Sequence, residues 1–133
     1  MEQMMEPKAR WITVGIASCM ALVASPVATA QAQEAAPHAF VVAIESVRDM
    51  ETFTKEYGPK VPATLQPFGG RYLVRGGKLM SLEGEAPSRF VIIEFDSMQN
   101  ALNWYRSPGY QKLIPLRQEA SKSTLFIADG ASK

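Results

Sequence analysis

The chain has 133 residues, with 14 Lys and Arg against 13 Asp and Glu, and a formal net charge of +1. So even a balance excludes a polyanion partner held on a basic surface and an electrostatic grip on a membrane. A single cysteine and a single histidine exclude a disulfide framework and a zinc centre built within one subunit.

Residues 1–32 read as a secretory signal and its cleavage region. Lys8 and Arg10 precede the apolar run WITVGIASCMALVA (Trp11 to Ala24), and Ala28, Ala30 and Ala32 offer small residues at signal-peptidase spacing. The run falls short of the ~20 residues that span a bilayer, which argues against an uncleaved anchor. IASC (Ile16 to Cys19) resembles a bacterial lipoprotein box and gives a minor alternative, a lipid on Cys19. The segment after Cys19 stays apolar where a lipoprotein turns polar. Glu2 and Glu6 weaken the basic region and point to Met4 or Met5 as the start of translation. Cleavage near Ala30 or Ala32 removes Cys19 and leaves an exported chain, periplasmic or secreted, with no stable membrane association. About 100 residues then remain, enough to fold alone but with limited burial, so self-association would add stability.

Residues 33–38 form a flexible lead-in, and one domain is expected over 39–129. AFVVAIESV (Ala39 to Val47) is β-branched and aromatic, hence a strand. Asp49 offers an N-cap to a helix with Met50, Phe53, Tyr57, Val61 and Leu65 at helical spacing, interrupted by Gly58-Pro59 and Pro62. FGGRYLVRGG (Phe68 to Gly77) leads into two short strands over 70–84, joined at a tight Gly76-Gly77 turn. RFVIIEF (Arg89 to Phe95) is a third strand. Ser97 caps a helix with Ala101, Leu102, Trp104 and Tyr105, and Ser107-Pro108 restarts it through about Ala120, with Pro115 dividing the stretch. STLFIA (Ser123 to Ala128) is the last strand.

The order defines an α+β, ferredoxin-like βαββαβ sandwich with an extra hairpin strand. Right-handed crossovers place the strands Ala39 to Val47 and Arg89 to Phe95 side by side and parallel. Along both strands the two faces are largely apolar: Val41 and Ala43 oppose Phe40, Val42 and Ile44, and Val91, Ile93 and Phe95 oppose Phe90 and Ile92. Two helices cover one face only. A second copy of the chain is expected on the other, with the two sheets packed together in a two-fold homodimer.

KVPATLQPFGGRYLVRGG, LEGEAPSRFVIIEF and ALNWYRSPGYQKLIPLRQEA, in this order, resemble the domain-of-unknown-function-1330 (DUF1330) family over essentially all of 39–128. The resemblance implies the dimeric α/β-barrel superfamily: two sheets closing a barrel between protomers, helices outside. It implies no activity. Related families include cofactor-free monooxygenases, lactone isomerases and dye-decolourising haem enzymes, so the fold leaves catalysis open. The signal departs from the family's generally cytosolic members. Gly109 stands where an acidic residue commonly follows Ser-Pro, which puts any role for that position in doubt.

His38, alone and in the lead-in, reads as an exposed tail residue rather than a haem ligand, and neither metal nor cofactor is expected. The glycines lack the Gly-Lys-Ser/Thr of a phosphate loop and the G-x-G-x-x-G of a dinucleotide site. RFVIIEF lacks the Gly-aromatic pattern of an RNA-stacking strand, so no nucleic-acid partner is expected. What remains is a polar set. Strand alternation places Arg71, Leu73 and Arg75 on one face, with Tyr72 and Val74 on the other. The functional reading has Arg71 and Arg75 reaching a pocket between sheet and helices, or inside the dimer barrel, to hold a carboxylate or enolate oxygen. Glu94 then serves as base or arginine partner, making Glu94 and Arg75 the catalytic candidates. Trp104, Tyr105, Tyr110 and Arg117 complete a ligand-binding set. The competing reading has the arginines guarding an edge strand or pairing with Glu45, Glu83 or Glu94, and Trp104 and Tyr105 filling core and interface.

Overall fold

The computed structural model describes residues 37–131. The signal, lipid-box and most of the lead-in readings fall on residues 1–36, outside the described residues. Among the described residues, no helix is long and apolar enough to cross a membrane.

β1 (Ala39–Val47) starts the domain. Asp49 caps α1 (Met50–Thr52), its side chain accepting from the Thr52 amide at 3.0 Å. The helix then widens into a π-turn, Phe53–Tyr57, closed by the Gly58 amide on the Phe53 carbonyl at 2.8 Å. Both Phe53 and Tyr57 are buried there, with ring centroids 5.0 Å apart. Pro59 and Pro62 end that turn and start α2 (Val61–Leu65), followed by a 3₁₀ turn (Gln66–Phe68). The proline-broken helix is therefore two pieces, as its spacing implied. Gly69 closes it at φ +70, a left-handed cap that favours glycine. β2 (Arg71–Arg75) and β3 (Arg89–Phe95) follow. α3 (Met98–Arg106) carries the expected Ser97 cap, and Ser107 caps α4 (Pro108–Gln111). α5 (Ile114–Ala120) begins with Pro115 in its first turn, where a missing N–H costs nothing. β4 (Ser121–Asp129) completes the chain.

The four strands form one sheet in the order β2-β3-β1-β4. Every neighbouring pair is antiparallel, which corrects the parallel β1–β3 pairing expected from the crossovers. The helical crossover relates β1 to β2, which run parallel, and β3 slots between them after a reversal. β3 therefore runs against both.

The extra hairpin strand is absent among the described residues. The Gly76 amide donates to the Phe90 carbonyl at 2.9 Å, so the ladder with β3 continues through the point where a Gly-Gly turn was expected. β2 uses its pairing edge on β3, and the following segment runs as a loop to Ser88 with Met80 and Leu82 exposed.

The helices cover one face of the sheet. Val41, Ala43, Val91, Ile93 and Phe95 pack there against Trp104, Tyr110, Leu65 and Phe53. Trp104 is 1% exposed, its ring centroid 4.1 Å from that of Tyr110, and its Nε1 donates to Thr64 Oγ1 at 3.0 Å. On the other face, Phe40, Val42, Phe90 and Ile92 are only partly buried, and Ile44 and Phe126 are exposed.

Gly70 lies where the chain leaves the 3₁₀ turn. A Cβ on it would stand 2.8 Å from both Leu65 and the fully buried ring of Phe95. Gly70→Ala is expected to cost about 1–3 kcal/mol, read as a lowered midpoint in urea at an unchanged m-value.

Candidate functional site

Glu45 decides where chemistry concentrates. Strand alternation puts it in phase with Val41 and Ala43 on the helix-covered face, and it is 3% exposed. A carboxylate so placed needs partners. Register brings Arg89 of β3 directly opposite, and Arg89 Nε donates to Glu45 Oε2 at 3.1 Å. Arg117 arrives from α5 and is 5% exposed. Its Nε is buried with no hydrogen-bond partner among the described residues. From the π-turn and α4 come Tyr57 and Tyr110, whose hydroxyls lie 3.2 Å apart.

Glu45, Arg89, Tyr57 and Tyr110 line a small cavity of about 30 Å³ between sheet and helices, together with Tyr72 and Arg75, and Arg117 stands beside Glu45 without lining it. That is room for two or three waters, or for the polar end of a ligand, at ~10–15 Å³ per water. Arg75 reaches it from β2, donating to the Gly58 carbonyl at 3.0 Å with its guanidinium 4.6 Å from the Tyr72 ring centroid.

Burial sets the electrostatics. It pushes the Glu45 carboxyl above its ordinary value of 4.5, and the charges of Arg89 and Arg117 oppose it. Burial likewise raises Tyr57, with the neighbouring Tyr110 adding to it. Tyr72 and Tyr110 are raised by burial too. The site thus holds neutral phenols, one hard-to-ionise carboxyl and three guanidinium groups. It can orient an anion by charge-assisted hydrogen bonds and accept a proton at Glu45.

The expected arginine pair does not share a face. A β-bulge between Tyr72 and Val74 leaves Leu73 out of register. Arg71 stands opposite Glu94 on the open face of the sheet, whereas Arg75 stands opposite Val91 on the helix-covered face. One extra residue reverses the alternation, so Arg75 and Glu94, the two catalytic candidates, lie on opposite sides of the sheet.

Glu94 instead joins a chain of charges. Arg71 Nε donates to Glu94 Oε2 at 2.8 Å, and the same guanidinium meets Asp96 Oδ1 at 3.2 Å. His38, expected as a free tail residue, donates from Nδ1 to Glu94 Oε1 at 2.5 Å. Its carbonyl accepts from the Gly130 amide at 2.6 Å. The His38 hydrogen bond, and then that from Arg71, hold the Glu94 carboxyl below the ordinary range. Among the described residues Glu83 pairs with neither Arg71 nor Arg75. Tyr105 is 38% exposed at the rim of the Trp104–Tyr110 stack, 5.7 Å from the Tyr110 ring.

A second hollow, of about 520 Å³, lies over the open face beside the loop after β2. Ile44, Leu79, Met80, Pro87 and Phe90 line it with Glu85 as its single charge. It offers area but little chemistry. Among the described residues no three of His, Cys, Asp and Glu gather at metal-holding distance.

A four-stranded antiparallel sheet with helices on one face defines a ferredoxin-like α+β domain. The family model for the domain of unknown function DUF1330 matches residues 38–131, and the chain belongs to that family. A protein of unknown function from Rhodopseudomonas palustris, RPA0582, is similar in structure, with a TM-score of 0.60 at 19% identity over 73% of this chain and 85% of that one. SnoaB, a cofactor-independent oxygenase from Streptomyces nogalater, gives a TM-score of 0.54 at 12% identity, covering 74% of this chain and 97% of that one. At these identities the likeness is one of fold. No curated protein matches the chain significantly.

Glu94 yields a sign-specific prediction. Its folded pKa is depressed, so its contribution to stability is present above the ordinary 4.5 and is lost as pH falls through the folded value. Arg71→Ala removes one of the two donors. The variant should melt slightly below wild type at neutral pH, and the gap should close in acid, as pH falls below the ordinary carboxylate range and through the depressed value of Glu94. A gap that persists unchanged in acid assigns the effect to packing instead.

Proposed function

We propose that this is an exported homodimer that binds a small organic molecule, carboxylated or aromatic, in the helix-side cavity. One observation carries the reading: a cavity that the buried carboxylate Glu45 and two tyrosine hydroxyls line, with a buried guanidinium, Arg117, next to Glu45 whose Nε has no hydrogen-bond partner among the described residues. A buried polar group left without a partner is costly, and a ligand that supplies one recovers part of that cost. Trp104 and Tyr110 give the cavity an aromatic wall. Arg75, Arg117 and Tyr110 stay in the proposed binding set and Glu45, Tyr57 and Arg89 join it. Arg71 and Glu94 leave it for the open face.

A second reading, a cofactor-free enzyme acting by proton transfer or oxygenation, is favoured by Glu45. A buried carboxyl held above its ordinary pKa, lining a cavity, is a suitable group to take up or give a proton.

The dimer rests on the open face. Phe40, Val42, Ile44, Phe90, Ile92 and Phe126 form an apolar surface that no helix among the described residues covers, larger than single exposed hydrophobics explain. Sheet-on-sheet packing of two copies buries it.

The test is a thermal-shift screen of small organic acids and aromatic compounds. Stabilising compounds should bind Arg117→Gln at least about tenfold more weakly, the value of one charge-assisted hydrogen bond. A hit that binds the variant undiminished removes Arg117 from the site. Turnover of a hit, lost in Glu45→Gln at unchanged melting temperature, decides for the enzyme. Sedimentation of the wild type should give a dimer at micromolar concentration, and Phe126→Glu should shift it to monomer. A wild-type monomer refutes the dimer.

A further inference from the structure

Resting on the proposal that the helix-side cavity holds a small organic ligand, we propose that the ligand is a carboxylate anion and that Glu45 takes up a proton as it binds.

The argument begins with a census of what faces Glu45. Arg89 meets it from β3 at 3.1 Å. Arg117 faces it from α5, Tyr57 from the π-turn, Tyr110 from α4 and Tyr72 from β2. Arg75 lines the same cavity from β2, and Ser123 is its register partner on β4. Two cations, Arg89 and Arg117, therefore stand beside one carboxylate, and a third, Arg75, shares its cavity. Exposed Arg75 meets solvent, but Arg117 is buried with its Nε unpartnered among the described residues. A site built this way attracts an anion and gives it donors.

Of the anions available, a carboxylate fits best. It presents two oxygens in the plane of a guanidinium fork and makes bidentate hydrogen bonds. The cavity has room for that polar end in place of two or three waters, at ~10–15 Å³ each. The rest of the ligand lies against Trp104 and Tyr110 or towards the opening beside Arg75.

The incoming carboxylate then shares a dry space with Glu45. Two carboxylates this close do not both stay ionised. Glu45 is the one that yields, because burial already works against its charge and only one of its oxygens is held by Arg89. The proton comes from solvent, the ligand enters as its anion, and the net charge of the site is unchanged. Arg89, released from the ionised Glu45, becomes a donor to the ligand.

Binding coupled to one proton weakens with rising pH. Above the titration of free Glu45, the affinity should fall towards tenfold per pH unit. Calorimetric titration of the full chain, with acetate and benzoate as probes and acetamide and benzamide as neutral counterparts, reads this directly. Runs at one pH in HEPES and in Tris differ in buffer ionisation enthalpy and report protons taken up. The expected result is uptake approaching one proton per bound acid, with affinity falling as pH rises, and both effects lost in Glu45→Gln. Should that variant fail to fold by circular dichroism, the two-buffer comparison on the wild type decides alone. Acids that bind with no proton exchanged overturn the coupling and leave the binding function standing. Amides that bind as well as the acids overturn the anion class and leave it standing too. If none of the four binds, the coupling falls together with the reading of the cavity on which it rests.

Discussion

A sheet with two apolar faces and a single helix layer governs this molecule. Val41, Ala43, Val91, Ile93 and Phe95 drive the helices onto one side, where Trp104, Tyr110 and Phe53 complete a core. Phe40, Val42, Ile44, Phe90, Ile92 and Phe126 leave the other side without a roof. Burial of apolar area is the dominant favourable term in folding, so the uncovered side is an unspent source of association energy. The covered side is where polar groups become scarce, dry and consequential. Glu45 and Arg117 act as they do because the same helices that bury Trp104 bury them.

The bulge at Leu73 matters as much as any side chain. Without it Arg71 and Arg75 would share a face and crowd one set of carboxylates. With it, each arginine serves a different side of the sheet. Arg71 secures the open-face chain of His38, Glu94 and Asp96, and Arg75 lines the helix-side cavity and bonds the Gly58 carbonyl. Bulges re-aim side chains next to functional sites, and this one divides a basic edge strand into two separate electrostatic environments.

Much of the fold was legible because it rests on local rules. The period-two alternation of β1 and β3, the Asp49 and Ser97 caps, the Ser107-Pro108 restart and the breaks at Pro59 and Pro62 are all written in neighbouring residues. What escaped depends on partners far along the chain. The sense of the β1–β3 pairing follows from β3 entering between two parallel strands, which adjacent residues do not encode. The bulge has no glycine or proline to announce it; Leu73 looks like any strand residue, and β3 alone imposes the slip. Gly76-Gly77 looks like a hairpin turn until β3 claims that edge of β2. For the cavity, one signal was present, Glu45 as a charge in phase with a buried face, whereas its pairing with Arg89 depends on the antiparallel register, which the sequence did not reveal. The burial of Arg117 was not visible, since a lone arginine one turn past a helix break reads equally well as solvated.

The position of β1 in the sheet has a consequence for how the domain comes into being. β1 is made first, yet it sits between β3 and β4, and its longest ladder is with the last strand, Ala39 opposite Asp129 through Val47 opposite Ser121. The order of synthesis and the order of the sheet are therefore opposed. Until β4 exists, β1 has one bare edge and the Gly130 amide cannot reach the His38 carbonyl that ties the two ends of the domain together. A topology dominated by such distant pairings closes late and as a whole, because the entropy of the entire intervening chain is surrendered in one step. No half of this domain stands alone. A nascent chain of this kind stays open until its final residues emerge, which keeps it threadable through a membrane pore, the state its proposed export requires.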